Sequence, residues 1–213
     1  LLGLFLYAYM YKTFNVIPPT PYAPENPTYT AHGHSYQLFI TIFFLCVFVT
    51  MLFIGWYLNG KSFKGYGELT KSAGHRVNFF ERYGAPMVFI NLGVYGMMML
   101  TYYILVITFT EGAGFTGPTT GVILAAITFV SQGQHPKNVW PVLSGYLALF
   151  LFVSASKLML GFDIHWTLST QAYINGAAFA TGLCPITGHY GKRYGMLAGI
   201  MCAVMCTSTS AIH

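Results

Sequence analysis

The sequence predicts an all-α membrane protein of about seven apolar segments, two of them short or broken (118–134 and 167–189). Three observations lead there. Only 7% of the residues are charged, against about 25% in soluble domains, while 55% are hydrophobic and the mean hydropathy is +0.57. The apolar residues gather into runs of roughly 16 to 25, the length a helix needs to cross about 30 Å of hydrocarbon at about 1.5 Å per residue. Most of the few Lys and Arg fall between those runs, where they act as topology signals and not as a phosphate-binding face, so the net charge of +5 does not point to nucleic acid.

Residues 1–16 form the first apolar segment. Pro18, Pro19, Pro21, Pro24 and Pro27 follow, and because proline fixes φ and lacks a backbone donor, residues 17–36 are expected as a Pro-rich external loop. His32 and His34 in this loop lack a third ligand nearby in sequence, so the pair reads as solvated histidines and not as a metal site. Residues 37–58 carry no charge and make a full spanning helix, with Trp56 and Tyr57 at its interfacial end. The composition then changes. Residues 59–83 hold Lys61, Lys64, Lys71, Arg76 and Arg82, half of the ten Lys and Arg, and are expected as a basic connector. Residues 84–213 are expected as the membrane core.

Within that core, residues 86–110 are the third span. The small residues of INLGVYG permit close helix approach, and Asn91, costly against lipid, is expected to face another helix or a cavity. The fourth segment, GPTTGVILAAITFVSQGQHPKN from Gly117 to Asn138, is bounded by helix breakers. Its apolar part provides only about 24 Å of helix, short of the bilayer core. Residues 139–162 are the fifth segment, with Lys157 expected to snorkel. The sixth, residues 167–183, contains Gln171 and Asn175 and is broken at Cys184-Pro185; His189 follows, and residues 196–212 complete the set. Short membrane segments bounded by Gly or Pro, with polar ends, are the best sequence pointer to a pathway. The two interrupted segments are therefore expected to face each other, as one half of a pseudo-symmetric, transporter-like fold. Both chain ends read as helix interior, which suggests a piece of a longer protein.

Charge supplies the topology. If every segment crosses once, one set of loops holds 59–83, Lys137 and Lys192-Arg193, and the other holds Glu25, Glu111 and Asp163 with no Lys or Arg. The positive-inside rule places the basic set in the cytoplasm of a multi-pass plasma-membrane protein.

The chemistry along the expected path is hydroxyl and amide. Thr119 and Thr120 lie at one end, beside the helix-start amides of Gly117 and Pro118. Gln132, His135, Pro136, Lys137 and Asn138 lie at the other, and Asn91, Asn175, Pro185 and His189 come from neighbouring segments. Such groups favour a small polar or anionic solute, so an integral membrane transporter or channel is expected, and the lack of any acidic residue within an apolar run argues against carboxylate relays. No HExxH, GxSxG or GxxxxGK[ST] pattern is present, so neither an enzyme nor a cofactor is expected. Cys202 and Cys206, at i and i+4, read as small packing residues. The expected partners are the lipid bilayer, the solute, and a second copy or the missing half of the chain. The alternative is a non-transporting scaffold that binds a partner through the basic connector.

At NFFERYGAPMVFINLGVYG, TGPTTGVILAAITFVSQGQHPKNVWPVLSGYLA and GLCPITGHYGKRYGMLAGI the sequence resembles a bacterial membrane-protein family catalogued as domain of unknown function 1576. The likeness covers most of residues 78–200 and is most specific in the GPT and GxHPKN elements. It implies a longer polytopic protein of two related halves, each with a GPT-type segment, of which this chain holds the second. It also points to Gly117, Pro118, Thr119, His135, Pro136, Lys137, Asn138 and Pro185.

Overall fold

The computed structural model describes residues 27–74, 77–108, 114–115, 117–161 and 171–210; the first apolar segment, Glu25, Arg76, Glu111 and Asp163 lie outside them. All regular structure among the described residues is helical. Three helices are long and apolar enough to cross a membrane, over Gln37–Leu58, Phe79–Ile107 and Pro136–Leu160. The chain is an all-α membrane protein.

Helix α1, Pro27–Leu58, starts ten residues before the expected span, so residues 27–36 are helical and not loop. The run of prolines ends at Pro27, and a proline in the first helical turn loses nothing because its missing N–H has no partner there anyway. One face of α1 exposes Leu38, Ile42, Leu45, Val49 and Phe53 at helical spacing, while Ile40, Phe44 and Phe48 are buried. An apolar exposed stripe opposite an apolar core is what lipid as a solvent permits.

The basic connector contains one short helix, α2 (Tyr66–Leu69), pinned by the fully buried Leu69. It leads into α3, Phe79–Thr108, which is kinked at Gly84 (φ 78, ψ 163) just before Pro86. Helices α1 and α3 run antiparallel: a Cβ at Gly93 would fall 2.6 Å from Leu52 Cβ, and Gly96 lies against the Phe48 ring. The small residues of INLGVYG are thus used for close packing.

The fourth segment is α4, Gly117–Thr128, closed by a 3-10 turn over Phe129–Gln132. Gly133 then reverses the chain into α5, Pro136–Leu160. The sixth segment is α6, Gln171–Ala180, followed by a 3-10 turn over Thr181–Leu183 and the short helix α7, Cys184–Tyr190. Helix α8, Lys192–Ser210, ends the described chain. It runs parallel to α5, with Gly199 against Val142, and a Cβ at Gly145 would fall 2.7 Å from Ile200 N. Between them, the Tyr146 hydroxyl donates to Cys202 Sγ at 3.2 Å and lies 3.4 Å from Cys206 Sγ. The main core is rich in tyrosine, with Tyr95, Tyr103, Tyr146 and Tyr173 all fully buried.

Candidate functional site

Residues 133–135 close the first interrupted segment, and each finds partners because buried non-helical backbone must be satisfied locally. Gly133 takes φ 117 and His135 is extended (φ −152, ψ 163). The Asn138 amide supports both: its Oδ1 accepts from the His135 N–H at 3.0 Å, and its Nδ2 donates to the Gly133 carbonyl at 3.0 Å. Asn91 Nδ2, from the middle of the third span, donates to the Gln134 carbonyl at 2.7 Å.

The Gln134 side chain joins the two interrupted segments. Its Oε1 accepts from the Tyr95 hydroxyl at 2.9 Å and lies 3.4 Å from Thr181 Oγ1, in the second 3-10 turn. Thr181 has one hydroxyl proton, and the shorter 2.6 Å bond to the Ala178 carbonyl takes it, so the contact with Gln134 is secondary. On the connector side, the Tyr66 hydroxyl donates to Asn91 Oδ1 at 3.1 Å. Tyr66, Asn91, Gln134 and Tyr95 therefore form one buried, uncharged hydrogen-bonded knot that ties the connector, the third span and the first break together, and Thr181 sets the second break against it.

His135 faces the connector. Its Nε2 lies 2.8 Å from the Ser72 carbonyl, and since a carbonyl only accepts, the proton is on Nε2. The ring stacks on Phe79 at 6.5 Å between centroids. His135 sits outside the spanning helices, and burial pushes its pKa below the ordinary 6.5, with Lys137 adding to the fall and the Ser72 carbonyl opposing it. Burial raises the Tyr66 phenol, so it stays neutral.

The structure brings only some of the expected path residues together. Asn91, His135 and Asn138 belong to the knot or its edge, and all are buried. Gln132, Lys137 and His189 are exposed. Pro136 and Pro185 stand in the first turns of α5 and α7, where they start helices instead of ending them. Gly117 and Pro118 open α4, and Thr119 and Thr120 are buried in its first turn, at the end away from the knot. Asn175 is half-buried in α6, more than a turn before Thr181. Sequence reasoning missed Tyr66, Tyr95 and Thr181. Tyrosine and threonine are common in apolar spans, and only the fold shows which ones face an amide. Gln134 was recognisable as an uncharged polar side chain beside the break, though not as its centre.

Beside the knot, a crevice of about 160 Å³ lies between α4 and α6, lined by Val122, Ala126, Phe129, Ala178, Phe179 and Thr181. It is apolar apart from the Thr181 hydroxyl. The contacts of Ser72 with His135, of Ala73 with Gly188 and of the Lys192 ammonium with the Trp140 ring (5.5 Å) bring the three basic loops to one end of the bundle.

Fold and site define a polytopic helical membrane protein in which two interrupted segments meet at a buried polar knot. The chain belongs to the family described as Protein of unknown function (DUF1576), whose profile matches residues 58–213 and so includes every member of the knot. Comparison with curated proteins and with solved structures gave no match.

Proposed function

We propose that this protein carries a small polar or anionic solute across the plasma membrane, along a path between α4 and α6 that ends at Gln134 and Thr181. One observation carries the reading: both interrupted segments tighten into 3-10 turns where they meet, and the amide and hydroxyl groups gathered there are buried without a charge. Interrupted membrane helices whose ends are buried in protein or line a cavity are a recurring place for a solute site. Hydroxyl and amide groups, with no carboxylate in the knot, suit a neutral or anionic group on the solute, and the apolar crevice walls suit the rest of it. The shared end of the basic loops is the cytoplasmic one by the positive-inside rule. Such a carrier needs no chemical step.

The test is counterflow into proteoliposomes with a panel of isotope-labelled small neutral and anionic solutes. The reading expects at least one solute to accumulate through the parent protein and not through folded Gln134→Leu. No accumulation of any solute by folded parent protein would sink it. A scaffold role is favoured by the exposure of Lys61, Lys64 and Lys71. It expects a soluble protein to co-purify with the chain and to be lost when all three lysines become Glu.

A further inference from the structure

We propose that Ser72-Ala73-Gly74 is a removable strap that closes the polar knot from the connector side. The proposal rests on the transport reading only for what passes when the strap lifts. These three residues lie across both breaks. The Ser72 carbonyl accepts from His135 Nε2 at 2.8 Å. The Ala73 carbonyl rests against Gly188 in α7, and Gly74 is pressed against Gly133, where a Cβ would come within 2.9 Å of Gly74 Cα. Cys184 Sγ, in the first turn of α7, lies under Gly74, 3.9 Å from its carbonyl.

The strap is fixed at its flanks and lightly held in the middle. Upstream, Leu69 is fully buried and Tyr66 is bonded to Asn91; downstream, Phe79 is fully buried. Among the described residues between these anchors, the hydrogen-bonding ties to the rest of the bundle are one ring N–H bond and one long thiol contact. The remainder is van der Waals contact made possible by glycine at 74, 133 and 188. The other hydrogen bonds of Ser72 and Gly74 are local: Ser72 N–H to the Leu69 carbonyl and Gly74 N–H to Ser72 Oγ. The second lies within the strap and moves with it, and the first marks the hinge at the upstream anchor. Apart from the Asn138 amide and the Cys184 thiol under Gly74, the strap meets the bundle through backbone and glycine, and such surfaces part with little repacking of side chains, as a closure must.

Cys184 is a native reporter. It is only 2% exposed and Gly74 covers it, so alkylation of its thiol measures how often the strap lifts. The experiment uses the full chain in detergent and in liposomes, with Cys46, Cys202 and Cys206 replaced by Ala, and a bulky membrane-impermeant maleimide. In this parent, Cys184 is expected to react far more slowly than in the unfolded chain. His135→Phe keeps the stack on Phe79 but removes the N–H bond, and Gly188→Val wedges against Ala73. Each is expected to speed labelling by roughly tenfold, the scale of one lost hydrogen bond. Gly67→Ala, in open space on the same connector, is expected to leave the rate unchanged.

Parent labelling as fast as in the unfolded chain would overturn the strap. So would unchanged labelling in whichever of His135→Phe and Gly188→Val retains the parent's cooperative melt. Faster labelling without flux of any solute in any protein supports the strap and removes the transport reading. Faster labelling in variants whose solute flux equals that of a transporting parent overturns closure as its role.

Discussion

Residues 117–135 and residues 171–190 follow one plan and are closed in two ways. Each runs a short apolar helix into a 3-10 turn and restarts with a proline in the first turn of the next helix. In the first, Gly133 and His135 leave helical space and the chain reverses at once into the 25-residue α5. In the second, Leu183 (φ −80, ψ 1) and Cys184 (φ −51, ψ −31) stay near helical values, so the chain bends, continues for seven residues as α7 and reverses only at Gly191, φ 94. The polar groups follow this difference. The turn that abandons helical geometry frees the Gly133 and Gln134 carbonyls and the His135 N–H, and Asn138 and Asn91 are there to satisfy them. The turn that stays near-helical bonds largely to itself and contributes one hydroxyl. Separating bend from reversal also leaves the step beside α7 that Ser72–Gly74 occupies.

The sharpest way to break this comparison is to put a methyl group on each turn. Gly133→Ala places a Cβ at φ 117, which costs about 1–3 kcal/mol in backbone strain, and that Cβ also meets Gly74 at 2.9 Å. Gly182→Ala, in the second turn, adds a Cβ with nothing within 4 Å, and its expected effect is close to zero or a gain of about 0.5 kcal/mol from the stiffer unfolded chain. Thermal melts of the two variants in detergent should therefore separate by many degrees. Equal melting temperatures would mean that the first turn is no more constrained than the second.

A smaller separation is expected from the side chains that link the turns. Gln134→Leu leaves the buried Tyr95 hydroxyl without its acceptor, at a cost of about 1–3 kcal/mol. Thr181→Val loses a hydroxyl whose main bond is to its own turn, worth about 1 kcal/mol. Because the Thr181–Gln134 contact is long, the double mutant should be nearly additive, with a coupling below about 0.5 kcal/mol. A coupling well above that would make the two breaks a single hydrogen-bonded unit and weaken the contrast drawn above.

These sites differ in how far the sequence revealed them. The interrupted segments were legible because length, proline and glycine are local signals: a run too short for the bilayer that ends in QGQHPKN is visible without a partner. What Pro136 and Pro185 do was not, since a proline that ends one helix and a proline that begins the next look alike until the flanking dihedral angles are known. Asn91 was legible as an expensive amide in an apolar run, but its partner, the Gln134 carbonyl, is a backbone atom 43 positions away. The role of Ser72-Ala73-Gly74 had no sequence signal. Three small residues in a basic connector resemble any surface turn, and their value lies in fitting against Gly133 and Gly188, which only the tertiary fold brings near.

The smallest expected effect concerns pH and separates the two turns by their only buried histidine among the described residues, His135. Its folded pKa lies below the ordinary 6.5, chiefly through burial, so the unfolded chain binds more protons than the folded one as pH falls through that range. Stability should accordingly be greatest above neutrality and decline as pH drops below 6.5, levelling once the folded ring is itself protonated. Protonation occurs at Nδ1, since Nε2 already carries the proton donated to Ser72, and it places a positive charge in a buried position near the exposed Lys137. His135→Gln, which has no titration in this range, should lose the decline while the rest of the acid profile is retained. If His135→Gln kept the full decline, the pH-sensitive group would lie outside the turn that leaves helical space.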